Sequence, residues 1–353
     1  MKRINSTVLM RYLMVAVIFP LFVQYVFYFR FTGNYMINVF SEKGFNSFYG
    51  NSIFRYRVVG RSLHLWLYKK LSSQQKIKAL KENSTYDKRL TALDDNADET
   101  FYLTYFIIAA VFTVFTALAL LYLFDTAPVN PMSSPQKIFI TASLVLLIGF
   151  TQFVVTPYDT IGYFLLVAGA LFFFKYLQSK KLVHFIILNA LIIIATLNRE
   201  SALLTLSLMA AIYFSQYGFN MRWVKFMIVP VLCYLVTWMV LRLLFKSEDV
   251  LTEGIKFWTN LNLSKASNLM GFLFAAITFY LVSNLTENAV NKKLVKNFLL
   301  MSLPYILMIP VIGIMIEVRL WMPIILGAVL ISQFNPAAVR FPEQQKSVVP
   351  SVL

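Results

Sequence analysis

The sequence predicts an all-α, polytopic transmembrane helical bundle of about ten spans, with a long external segment between spans 1 and 2. Composition is the first reason. The chain is 59% hydrophobic and 14% charged, whereas a soluble domain is about 45–50% apolar and about 25% charged. The second is that the apolar excess arrives in runs long enough for a hydrocarbon core of roughly 30 Å. The third is the distribution of Lys and Arg, which alternates between the connecting segments as topology requires.

The first run, Thr7 to Phe29, is apolar apart from Arg11 and Gln24 and ends in Tyr25-Val26-Phe27-Tyr28-Phe29. A cleavable signal has a shorter apolar core and a small-residue cleavage site, so this run reads as an uncleaved first helix. Residues 30–100 do not span. Further spans read as 101–124, 138–156, 160–177, 182–198, 201–217, 226–245, 269–286, 298–316 and 320–334, giving ten with the first and a range of nine to eleven. The whole chain, 1–353, forms one integral membrane domain.

One set of segments carries fourteen Lys and Arg, among them Lys137, Lys180, Lys181 and Lys292, and the opposite short segments carry six. The richer side is expected to be cytoplasmic, with both termini there, in a bacterial inner membrane. The 30–100 segment holds twelve more on the opposite side, but exceeds the roughly 60 residues over which the rule operates.

The net charge of +16 is accounted for by topology and anionic lipid. No nucleic-acid-binding module is present, so nucleic acid is not an expected partner. Cys233 is the only cysteine, which excludes an intramolecular disulfide. His64 and His184 are too few and too far apart for a His-based zinc site.

This topology turns three hairpins on the external side within very few residues. Their tips read Pro157-Tyr158-Asp159, Asn198-Arg199-Glu200 and Glu317-Val318-Arg319. Ionisable residues beside long apolar runs are functional candidates by default, facing an interior or wet cavity and pairing there. Helical neighbours at i,i+1 and i,i+2 point in different directions. Arg199 is therefore expected to pair with Asp159 or Glu317, and Glu200 with Arg319, rather than within each tip. The plainer reading makes the tips solvated turns, or salt bridges that only hold the hairpins together.

In the external segment, Asn51 to Leu71 is amphipathic and expected to lie in the membrane interface. Arg57, Arg61, His64 and Tyr68 follow at i+4, i+3 and i+4 and share a face; Ile53, Val59, Leu63, Trp66 and Leu67 form the apolar stripe. Arginine forks match phosphate oxygens, so this face suits a lipid phosphate as well as general headgroup anchoring. The acids Asp94, Asp95, Asp98 and Glu99 could ligate a divalent cation, or complement the dipole of the helix that follows. In the loop Lys246–Asn268, Trp258 reads as an interfacial anchor, and the loop could cover the tips.

A first helix, a long external segment with interfacial helices and many spans with charged external tips resembles the GT-C superfamily of membrane glycosyltransferases. The run Phe54-Arg55-Tyr56-Arg57-Val58-Val59-Gly60-Arg61, Tyr158-Asp159, Asn198-Arg199-Glu200 and Glu317-Val318-Arg319 resemble motifs of a bacterial branch near it. The resemblance implies a polyprenyl-phosphate-linked sugar donor at the extracytoplasmic face. It also implies an acid in the first external loop, soon after the first helix, acting as base or metal ligand. Here residues 30–41 hold no acid, and the first is Glu42. The candidates for base are thus Glu42, Asp159, Glu200 and Glu317, with Arg57, Arg61, Arg199, Arg319 and Tyr158 at the donor phosphate. A divalent cation is left open as cofactor. Two alternatives carry other expectations. A lipid or solute transporter would place its site near the midplane, often with internal repeats; Arg242 is the residue that fits it. A lipid-linked glycan polymerase or ligase would use the same arginines without metal.

Overall fold

A computed structural model describes residues 6–30, 39–51, 54–73, 98–245 and 256–339. The described residues are helical and contain no strand. Helix α1 (Leu9–Phe29) is followed by α2 (Glu42–Asn51) and α3 (Val58–Ser72), then by α4 (Glu99–Thr126) and α5 (Ser134–Phe150). Next come α6 (Asp159–Ser179), α7 (Leu182–Asn198), α8 (Leu203–Tyr217) and α9 (Met221–Leu244). The described chain closes with α10 (Phe257–Leu261), α11 (Ala266–Ser283), α12 (Ala289–Met301), α13 (Leu303–Ile312) and α14 (Val318–Ser332).

The helix starts are written locally. Asp98 accepts from the Thr100 and Phe101 amides and caps α4. Ser133 and Gln136 form a capping box at α5, with Pro135 in its first turn. Asn220 and Asn288 cap α9 and α12 in the same way as Asp98. Gly218, at φ 65°, ends α8 in a backbone region that a side chain disfavours.

Among the described residues six helices are long and apolar enough to cross a membrane: α1, α4, α6, α9, α11, and α5 extended to Phe153. Counting α12 and α13 as one span bent by 49° makes seven. This architecture is consistent with a multi-pass membrane protein, at a coarser count than the ten expected. Helices α7 and α14 sit where spans were read, but they have 17 and 15 residues, short of the roughly 20 that cross a hydrocarbon core untilted. Buried α8, also with 15 residues, is shorter still than a straight crossing requires.

Helix α6 is the centre of the bundle, packed against α4, α7, α8 and α14. Its residues Phe173 and Phe174 belong to the main core with Leu188, Leu204, Trp321 and Phe334, and Phe174 packs on Phe334 with ring centres 4.9 Å apart. A second, aromatic cluster lies at the end where α4 and α6 begin. There Phe40, Phe45 and Tyr49 pack on Phe101, Tyr105 and Tyr158. At the opposite end Lys137 pairs with Asp125 at 2.6 Å, and Lys175 donates to Tyr122 at 2.7 Å.

The expected interfacial helix is corrected in two ways. It begins at Val58 rather than Asn51, because a turn at 54–56 interrupts it. The face expected to be basic turns inward: His64 is fully buried, its ring 4.0 Å from that of Tyr105 and 4.4 Å from that of Phe101. Tyr68 donates to Asp98 at 2.7 Å. Val59, Leu63 and Leu67 are partly buried, while Trp66 is exposed. Ile53 lies outside the described residues. So do Asp94 and Asp95, while Asp98 acts as a helix cap.

Burial drives the His64 pKa from its ordinary 6.5 down to about 3. As pH falls through that interval, the unfolded chain takes up a proton that the folded chain refuses, so stability drops. His64→Phe should flatten part of this drop in thermal scans from about pH 7 to about pH 4.5.

Candidate functional site

The three hairpin tips and the 54–57 turn converge at the end where α6 begins. Each segment is placed by its own local structure. Asp159 opens α6 and its amide donates to the Thr156 hydroxyl at 3.3 Å. A carboxylate in a first helical turn is favoured by the helix dipole. Asn198 ends α7, and its Nδ2 donates to the Tyr158 carbonyl at 2.8 Å, tying two tips together. Arg199, with extended backbone, turns the chain into a short 3-10 helix at Glu200–Ala202. Glu317 caps α14 and Arg319 lies in its first turn.

The turn 54–57 reaches the tips because Gly60 sits directly on the Pro157–Tyr158 backbone. A Cβ at Gly60 would stand 2.5 Å from the Pro157 carbonyl oxygen. This close approach delivers Arg57 to the site. Its guanidinium stacks 4.4 Å from the Tyr158 ring centre and 4.7 Å from that of Phe54.

Three arginines and three acids interlock there. Arg57 Nη2 is 2.9 Å from Glu200 Oε2, and Tyr56 donates its hydroxyl to Glu200 Oε1. Arg199 Nη1 binds Asp159 Oδ1. Arg319 Nε donates to Glu317 Oε2 at 2.8 Å, and its Nη1 lies 3.6 Å from Asp159 Oδ2. Asp159 and Arg199 are only 2% and 4% exposed. Desolvation alone would raise the Glu200 pKa, but Arg57 and Tyr56 outweigh it and hold the carboxyl below the usual range. Arg57 is likewise opposed by burial and held above its ordinary value by Glu200.

The expected Arg199–Asp159 pair is present, and Arg199 and Glu200 do point to different partners. Two other pairings are corrected. Glu200 pairs with Arg57 and Tyr56, not Arg319. Glu317 and Arg319 do bind each other, because Glu317 precedes the helix with extended backbone (φ −72°, ψ 103°), so helical i,i+2 geometry does not separate them.

Of the residues singled out from sequence, Asp159, Glu200, Glu317, Arg57, Arg199, Arg319 and Tyr158 come together. Glu42 is exposed at the start of α2 and forms no ion pair with the cluster. Arg61 turns away and donates to the Tyr49 carbonyl at 3.3 Å. Tyr56 belongs to the site although it was not among the residues expected there, and Arg242, expected only for a transporter, lies beside it. Arg242 stacks 4.1 Å over the Tyr56 ring. An Arg-Tyr-Arg run facing a charged span end was the available signal. Residues 246–255 of the loop expected to cover the tips lie outside the described residues; in the rest of it, Asn260 binds the Pro310 and Gly313 carbonyls, both at 2.8 Å, and Trp258 is exposed.

Two of the buried acceptors without a hydrogen-bond partner lie at these tips. Asp159 Oδ2 and Asn198 Oδ1 are buried and accept no hydrogen bond. Buried polar atoms without partners are rare and costly. A cavity of about 300 Å³ adjoins Arg319, walled by Phe150, Phe153, Val154, Ile314 and Ile316, with Glu317 and Arg319 at its edge. The mouth residues Phe150, Ile314 and Ile316 are exposed apolar side chains. The acids do not form a cation site: each is met by a guanidinium, and no group of three His, Cys, Asp or Glu is placed for a metal among the described residues.

Compared with protein-family models, curated proteins and solved structures, the chain matches none of them.

Proposed function

We propose that this chain is a membrane glycosyltransferase that moves a sugar from a polyprenyl-phosphate carrier to a hydroxyl of a glycan or lipid. The site would face the extracytoplasmic side of a bacterial inner membrane, with both termini cytoplasmic. The observation that carries the reading is Asp159: one carboxylate oxygen held by Arg199, the other open, beside Arg319 and an apolar cavity.

Asp159 Oδ2 takes the proton of the acceptor hydroxyl as that oxygen bonds to the anomeric carbon. The bond from the anomeric carbon to the phosphate oxygen breaks, and polyprenyl phosphate leaves with the electron pair. Arg319, at the cavity edge, receives the growing negative charge, with Arg57 and Arg199 as further preorganised cations. The cavity holds the first part of the prenyl chain while the rest stays among membrane lipids. Among the four candidate acids, Glu200 has both oxygens engaged and Glu42 lies outside the cluster, which favours Asp159.

The test is transfer from a radiolabelled polyprenyl-phosphate sugar in proteoliposomes. Asp159→Asn should lower turnover by about 10²–10⁴-fold, with Glu42→Gln near wild type. Full transfer by Asp159→Asn overturns the assignment. Passage of the intact labelled lipid across the bilayer, without sugar release, would instead establish a transporter. Since the cluster relies on guanidinium groups, EDTA should leave turnover unchanged.

A further inference from the structure

The charged cluster is balanced three against three, yet two more arginines meet at the site end of α9: Arg242 from its last turn and Arg55 from the 54–57 turn. Arg242 lies in the last turn of α9 and has no carboxylate partner among the described residues. Its guanidinium stacks between Tyr56 at 4.1 Å and Trp238 at 5.4 Å, and its buried Nε donates to nothing. Stacking on aromatic faces offsets part of the desolvation of a cation, but an orphaned buried N–H remains unfavourable.

Arg55 flanks the same tyrosine on the other side in sequence. Its Nε and Nη2 both donate to the Phe245 carbonyl, at 3.0 and 2.6 Å. That closes the C-terminal end of α9 and counters the partial negative charge that such an end presents. An anion approaching Arg242 therefore meets a capped helix end, and Nη1 of Arg55 has no partner among the described residues. Tyr56 links this corner to Glu200, whose carboxylate is already neutralised by Arg57.

We infer that Arg242, with Arg55, forms an anion site for a phosphate monoester, separate from the cavity beside Arg319. An arginine fork suits phosphate oxygens bidentately, and such charge-assisted bonds are about twice as strong as neutral ones. The phosphate could belong to a lipid headgroup or to a soluble ligand; the site chemistry is the same. The inference does not depend on glycosyl transfer.

Binding of two probes to the full chain in maltoside micelles tests it: dodecyl phosphate for the lipid source and inorganic phosphate for the soluble one. Wild type should bind at least one of them saturably, with a matching rise in Tm. Tighter binding of dodecyl phosphate assigns the lipid source, and equal binding assigns the soluble one. Arg242→Gln should weaken that binding at least tenfold, and Arg242→Lys should retain part of it. Arg222→Gln, at the far end of α9, should bind as wild type. If neither probe binds, or if Arg242→Gln binds within twofold of wild type, the inference is overturned. It is also overturned if probes bind only after Glu248→Gln and Asp249→Asn, since those acids would then be the native counterions. Failure of sugar transfer with intact phosphate binding would sink the proposed reaction and leave this site standing.

Discussion

Replacing Arg199 by Met should destabilise the protein by about 3–5 kcal/mol, because it strands a buried carboxylate. Asp159 would keep only Arg319 Nη1, at 3.6 Å and outside hydrogen-bonding distance. Adding Asp159→Leu to the same chain should recover most of that loss. Exchanging a buried ion pair for apolar residues of similar volume is often neutral or stabilising, whereas breaking it from one side is not. Unfolding can be followed in detergent with a thiol-reactive dye on Cys233, the only cysteine, which is partly buried. The double variant separates two roles of the pair. If the pair merely joins the hairpins, a stable double variant works as well as wild type. If Asp159 does chemistry, the double variant is folded and inactive. A double variant as unstable as Arg199→Met would show that the site cannot be held together by packing.

Much of this site was legible in the sequence. Sparse charges at the ends of long apolar runs had to find partners, and three short hairpins exposing their tips on one side limited where those partners could be. That reasoning located the Arg199–Asp159 pair. It failed for Glu317 and Arg319 because it took helical geometry for a residue that precedes its helix. It gave α3 an outward basic face because periodicity tells which residues share a face but not which way the face turns. The aromatic residues Phe45, Phe101 and Tyr105, distant in sequence, draw His64 inward, and nothing local announces this. The coarser span count has a related reason. Hydropathy reads a buried short helix and a crossing helix alike, and it does not give the lengths of α7, α8 and α14, which have 17, 15 and 15 residues. Tyr56 and Arg242 were hardest to find, since their role comes from a contact between residues 186 positions apart.

Gly60→Ala should be strongly damaging, although it adds a single methyl group, because among the described glycines it alone would meet three backbone atoms within 3 Å. The new Cβ would stand 2.5 Å from the Pro157 carbonyl oxygen and 2.9 Å from Tyr158 Cα. Both are backbone atoms at the start of the central helix, so neither can yield by changing rotamer. Helix α3 must lift instead, at a cost of about 1–3 kcal/mol for overpacking. Because Arg57 directly precedes α3, lifting the helix also draws the guanidinium away from Glu200 and from the Tyr158 ring. Glu200 would then be left with Tyr56 alone, its carboxylate still largely buried. Gly50→Ala is the matched control: it lies within α2 and a Cβ there meets nothing within 4 Å. That change should be neutral or stabilising by up to about 1 kcal/mol, through helix propensity. Thermal scans of the two variants check the packing claim, and equal midpoints would refute it. The functional claim is sharper: Gly60→Ala should lose sugar transfer even at temperatures where it remains folded, because the contact that is lost is the one that brings Arg57 to the site.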